Sequence, residues 1–249
     1  MANLLTERNN SPPAHPSIWL WWEYISITDI SREAFINIMS VWCDEWFDKG
    51  KFSSAYDVAK TSFNGQDGAI TRSTWERYFD HVKAVSYIGT VELWDRDPSR
   101  AIARLFHDND EDTRIDTNVL LATFWKHVSD LVNLVTNPRK TGDSTVDKRR
   151  KEIAFLAMRQ FPEWGMLKVP DRMHNNRSQE VVLMRDGVIT LDGLTQEILE
   201  KAKRKAEETR KFIYPLADIL WGKYKELLVV SQDQFEKAIE ELKDSVRKS

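Results

Sequence analysis

The run Asp108-Asn109-Asp110-Glu111-Asp112, followed by Asp116, places side-chain oxygens at alternate positions of one short stretch. Carboxylates spaced this way in a loop between helices can converge on a hard divalent cation, so Asp108, Asp110, Asp112 and Asp116 are the candidate metal ligands. A solvated acidic turn is the competing reading. Other chemistry is not written in recognisable form: there is no Gly-rich phosphate loop, no nucleophile elbow and no His-Glu-x-x-His. The histidines, at 15, 81, 107, 127 and 174, are scattered. His81 and His127 fall in predicted amphipathic helices, where a surface or hydrogen-bonded role is expected. On this reading no residue is catalytic and the chain is not an enzyme.

The elements that must carry the acidic loop are helical. Ser99–Phe106 is predicted to enter it and Asp116–Val135 to leave it. Upstream, Phe35, Met39, Trp42 and Trp46 fall on one face of a helix from Ser31, with Gly50 where it should stop. A shorter helix over Ser53–Phe63 and another over Thr71–Val85 follow, then a short strand or ordered linker at 87–94. The spacing further predicts helices near 146–160, 194–213, 216–228 and 232–247, with Pro215 as a breaker. The pentapeptide Asp67-Gly68-Ala69-Ile70-Thr71 recurs with one change as Asp186-Gly187-Val188-Ile189-Thr190. Because Asp-Gly is a strong two-residue turn, the stretch 181–191 also admits a short β-hairpin. Five windows, opening at Ile30, Ile70, Ile115, Ile189 and Val230, pair an aliphatic residue with a following Ser, Thr or Asp and then a large apolar residue, as a capped helix start requires.

The repeated pentapeptide resembles positions five to nine of the EF-hand calcium loop, and Ile115 at position eight sets Asp108, Asp110, Asp112 and Asp116 at one, three, five and nine. The tryptophan content is similar to the sarcoplasmic calcium-binding and photoprotein branch of that superfamily. The resemblance implies paired helix-loop-helix units over residues 17–135, with weak calcium binding at the acidic loop. Position twelve, where such loops hold a bidentate Glu, is occupied by Ala34, Thr74, Val119, Gly193 and Gln234, which implies a scaffold that has mostly lost its metal sites.

At 41% hydrophobic and 30% charged, with 9 Gly and 8 Pro in 249 residues, the composition fits a globular, mainly α chain. The expected organisation is a flexible arm at 1–16, a helical domain at 17–136, a linker at 137–147 and a smaller C-terminal helical region at 148–249. One cysteine, a net charge of −3 and no apolar run of roughly 18 residues point to an intracellular, cytoplasmic protein without a membrane span. The function expected is protein binding or structural assembly, with Trp19, Trp21, Trp22, Trp42 and Trp46 lining a partner groove and no cofactor. The alternative is a winged-helix nucleic-acid binder using Arg72, Arg77, Arg139, Lys140, Lys148, Arg149, Arg150 and Lys151. Weak calcium sensing is the third reading.

Overall fold

A computed structural model describes residues 27, 29–64, 77–109, 113, 123–136, 141–186, 193–220 and 222–248. Every regular element among them is helical: α1 (Arg32–Trp42), α2 (Lys49–Asn64), α3 (Tyr78–Tyr87) running into a π-helical segment (Ile88–Glu92), α4 (Pro98–Leu105), α5 (Lys126–Val135), α6 (Ser144–Met158), α7 (Pro162–Asp186), α8 (Gly193–Glu208) running into a second π-helical segment (Thr209–Ile213), α9 (Tyr214–Ala217) and α10 (Tyr224–Lys248). The mainly α expectation holds. None of the helices is long and apolar enough to cross a membrane.

Local signals explain where several elements start. Ser31 caps α1, its Oγ accepting from the Ala34 amide at 3.2 Å, as the first of the five windows requires. Asp97 caps α4 through Ser99 N at 2.7 Å, with Pro98 at the first helical position. Asp143 caps α6 through Thr145 N at 2.8 Å. The Val230-Ser231 window behaves differently, because Ser231 lies inside the continuous α10. The windows at Ile70, Ile115 and Ile189 lie outside the described residues.

Other expectations are corrected. Gly50 does not stop the first helix; α1 ends at Trp42 and Gly50 sits in the first turn of α2. Residues 181–186 are the last part of α7 and not a hairpin strand. Residues 88–92 are π-helical, which removes the wing strand that a winged helix needs.

One apolar core runs from Phe35 to Leu228, and α3 is sunk into it on nearly every side. Even its polar residues Asp80, His81, Lys83 and Ser86 are buried. Ser86 Oγ donates to Ala101 O at 2.8 Å and so ties α3 to α4. A smaller cluster, including Leu199, Phe235 and Ile239, seals α8 against α10.

Inside the core lies Arg104 of α4, fully buried. Its guanidinium pairs with Asp95 and donates to Met166 O, at 3.2 Å from Nε and 2.9 Å from Nη2. Met166 is four residues before Pro170, the proline inside α7, and a proline has no N–H to give to that carbonyl. Arg104 therefore satisfies the backbone acceptor that Pro170 leaves open. The guanidinium reaches it by lying against Gly89, where a Cβ would sit 2.3 Å from Arg104 Cζ. Gly89→Ala is expected to lose about 3 kcal/mol of unfolding free energy, the scale of a disrupted buried ion pair. Urea denaturation reads this, and a loss near the noise of the method would show that Arg104 can shift without cost.

Candidate functional site

Three helical elements bring titratable groups to one point. α3 supplies His81; the turn after α4 supplies His107 and Asp108; α7 supplies Asp171 in the residue after Pro170. One ligand-capable atom from each of the four lies within 4.8 Å of the others. His81 Nε2 is 3.4 Å from both Asp108 Oδ2 and Asp171 Oδ1. His107 Nε2 is 3.2 Å from Asp108 Oδ2 and 3.5 Å from Asp171 Oδ1.

Each ring and carboxylate is held by a further contact. His107 Nδ1 lies 2.8 Å from Arg104 O, a carbonyl in the last turn of α4 that can only accept, so Nδ1 carries a proton and Nε2 is turned to the carboxylates. Asp171 Oδ1 accepts from Asn175 Nδ2 at 2.6 Å, one helical turn on. Asp108 Oδ2 accepts from Tyr78 Oη at 3.2 Å. His81 Nδ1 lies 2.8 Å from Nδ1 of a third buried imidazole, His174, three residues after Asp171.

The electrostatics follow from this enclosure. Burial works against a charged His107, yet Asp108 and then Asp171 raise it to about 10. Burial likewise pushes both carboxyls up, but the imidazoles, His107 foremost, hold Asp108 and Asp171 well below the usual carboxylate range. The histidine side chains are fully buried, whereas those of Asp108 and Asp171 keep 13% and 15% of their surface exposed. Approach from solvent is thus on the carboxylate side.

This donor set fits a divalent first-row metal ion. Atoms bound to one such ion at about 2.0–2.2 Å lie roughly 3–4 Å apart, and the four cross-pairs measured here are 3.2–3.5 Å. His107 Nε2 is buried and aimed at two carboxylate oxygens, 3.2 and 3.5 Å away. Two imidazole nitrogens with two carboxylate oxygens suit a first-row transition ion such as manganese, iron, cobalt or zinc better than calcium, which takes oxygen ligands.

Behind Asp171 lies a second charged group. Its neighbour Arg172 is 6% exposed and donates from Nη2 to Glu208 Oε2 at 3.2 Å. Lys151 pairs with the same carboxylate, and Lys205 Nζ is 3.9 Å from it. This bracing joins α6, α7 and α8 around the site.

The sequence-derived residues fare unevenly. Asp108 lies in a cluster with His81, His107 and Asp171 that could hold a metal ion. Asp110, Asp112 and Asp116 lie outside the described residues, as do Trp19, Trp21, Trp22, Arg72, Arg139 and Lys140. Trp42 and Trp46 are exposed, and the nearby cavity of about 470 Å³ is lined by Asp44, Glu45, Lys49 and Arg96 among others and by neither tryptophan. Arg77 is engaged with Asp80 at 2.8 Å, and Lys151 with Glu208. Lys148, Arg149 and Arg150 stand exposed on α6. Reasoning from sequence missed His81, His107 and Asp171. The available signal was helical spacing: 171, 174, 175 and 178 share one face of a helix and are Asp, His, Asn and Ser.

The described residues form helices packed around a cluster of two histidines and two aspartates. No family model matches the chain. It is 32% identical over 152 residues to a probable guanosine-3′,5′-bis(diphosphate) 3′-pyrophosphohydrolase of Synechocystis sp., covering 60% of the chain and 18% of that relative. It is 30% identical over 177 residues to a probable GTP pyrophosphokinase of Mycobacterium leprae, covering 70% of the chain and 20% of that relative. The chain thus spans about a fifth of the length of these curated relatives. The solved structure of a metazoan ortholog of SpoT that hydrolyzes ppGpp is similar with a TM-score of 0.51 at 22% identity, over 79% of this chain and 95% of that one, which shows a shared fold.

These findings overturn the EF-hand resemblance and with it the calcium reading. They equally overturn the expectation of a non-catalytic binding or structural protein and its winged-helix alternative, since the relatives are named as enzymes and the site is a buried His/Asp cluster.

The charged group behind Asp171 has a pH signature. Burial raises the Glu208 carboxyl, but Arg172 foremost and then Lys151 and Lys205 bring it down to about 2. A carboxyl depressed in the folded state stabilises the fold above its ordinary value near 4.5 and loses that contribution as pH falls toward about 2. Glu208→Gln is therefore expected to cost about 3 kcal/mol at neutral pH. The gap to the parent protein should close between these two pH values. Denaturation midpoints across that range test this; a gap independent of pH would contradict it.

Proposed function

We propose that this chain is a divalent-metal-dependent phosphohydrolase acting on guanosine 3′,5′-bis(diphosphate) at its 3′ diphosphate. The observation that carries the reading is the convergence of His81, His107, Asp108 and Asp171 within 4.8 Å, with His107 Nε2 buried and aimed at the carboxylates. The substrate class comes from the relative named as a 3′-pyrophosphohydrolase. Hydrolysis is favoured over the kinase activity in the other relative's name because a nitrogen-and-oxygen cluster with two partly exposed carboxylates is a site for activating water.

His81 Nε2, His107 Nε2 and one oxygen each of Asp108 and Asp171 would hold the ion. Bound there, it supplies Lewis acidity and lowers the pKa of a coordinated water from 15.7 toward about 7. The chain's own residues fix the donors: Arg104 O sets the His107 tautomer, Asn175 orients Asp171, and Tyr78 orients Asp108. The two carboxylates would offset the charge of a cation in the low dielectric of the core, and they are the members of the cluster that solvent reaches. In the reaction, oxygen from water bonds to the phosphorus on the 3′ oxygen. The bond between that phosphorus and the 3′ oxygen breaks. Pyrophosphate leaves, and the 3′ oxygen takes a proton to become a hydroxyl.

The test is product analysis with manganese. Guanosine 5′-diphosphate and pyrophosphate are expected in equal amounts, with a rate more than about 100-fold lower in Asp171→Asn and His107→Gln, which remove a metal donor. Undiminished turnover in both variants, or no hydrolysis with manganese, iron, cobalt or zinc, would overturn the reading.

A further inference from the structure

The two histidines of the cluster are held in different ways. His107 Nδ1 faces a backbone carbonyl, which can only accept, so its tautomer is fixed by the fold. His81 Nδ1 faces His174 Nδ1 at 2.8 Å, with the rings 4.6 Å apart and nearly perpendicular. An imidazole nitrogen can give or take a hydrogen bond, so this contact has two forms. In one, His174 Nδ1–H donates, His81 carries its proton on Nε2, and that proton points between Asp108 and Asp171. In the other, His81 Nδ1–H donates, His174 Nδ1 accepts and carries its own proton on Nε2, and the His81 Nε2 lone pair faces the carboxylates. Each ring is neutral with one proton in both forms, so the forms differ only in proton position.

We infer that His174 is a positioning residue: it accepts a hydrogen bond from His81 Nδ1–H and thereby keeps His81 Nε2 as a metal donor. The assignment rests on the metal centre proposed above and adds to it the group that makes the α3 ligand competent. The geometry supports it from several directions. His81 and His174 are both fully buried, so water does not replace the partner. His174 follows Asp171 by three residues, so one face of α7 contributes a direct donor to the site and, beside it, the support for a donor on another helix. Ser178 Oγ, one turn further on, is farther from the same His174 Nδ1, at 3.3 Å against 2.8 Å, so His81 is the nearer partner of that nitrogen.

Two measurements on the whole chain test this. The first uses nitrogen-15 histidine labelling and long-range proton correlation on the parent protein loaded with zinc, which is diamagnetic. The proton is expected on His81 Nδ1 and His174 Nε2; a proton on His174 Nδ1 would overturn the inference without any variant having to fold. The second is manganese affinity by calorimetry. His174→Leu, which keeps the volume but removes the acceptor, should bind about 10- to 100-fold more weakly. His174→Asn, whose amide oxygen can occupy the Nδ1 position, should stay within about threefold of the parent. Parent-like affinity in His174→Leu, or equal loss in both variants, would show that the ring is only packing and would overturn it. Failure of the parent itself to bind manganese or zinc would instead refute the metal centre, and this inference would fall with it.

Discussion

The Arg104 guanidinium is the contact on which the site depends, because it touches or supports every element that carries a ligand. Its side chain satisfies Met166 O, the acceptor that Pro170 abandons next to Asp171. Its backbone carbonyl accepts from His107. Its flat face occupies the space that Gly89 leaves in the π-helical segment continuing His81's helix. Asp95 balances its charge, held below the usual carboxylate range by Arg104 and Arg100 against the cost of burial. An arginine this deep is expensive to desolvate, and it persists because its remaining neighbours cannot be satisfied without it.

The same logic holds one layer in. Two imidazoles and two carboxylates are held within 4.8 Å inside an apolar core, an arrangement that contributes little to stability for its own sake. Groups that converge in this way, with His107 oriented from behind by Arg104 O, could hold a cation between them. The surrounding ion pairs, Arg177 with Glu92 at 2.7 and 2.8 Å and Arg172 with Glu208, tie α7 to the π-helical segment that continues α3 and to α8. Rigidity of this kind holds the donor atoms at the separations a metal requires.

How much of this was legible in the sequence follows from where each signal lives. Helix α1, with Ser31 as its cap and Phe35 and Met39 facing inward, obeys amphipathic periodicity and reads directly. The acidic loop also drew the eye to Asp108, one true member of the cluster. Helix α3 reads as a helix, with Phe79 and Val82 inward as expected, but its buried polar residues do not announce a site; α7 does not read, because polar residues occupy positions where periodicity expects apolar ones. Pro162, Gly165 and Pro170 make α7 look like a break, and only the guanidinium of a residue 66 positions before Pro170 repairs it. His81, His107 and His174 are scattered in sequence because their proximity is created by the packing of α3, the turn after α4, and α7. The repeated Asp-Gly-x-Ile-Thr segments lie in or run into stretches outside the described residues, and the resemblance built on them pointed to the wrong superfamily.

A crystal of the manganese-loaded protein measured at wavelengths either side of the manganese absorption edge addresses the central claim most directly. A single strong anomalous peak is expected within about 2.0–2.3 Å of His81 Nε2, His107 Nε2 and an oxygen of each of Asp108 and Asp171. A peak bound elsewhere, or none at these four residues at full manganese occupancy in solution, would contradict it.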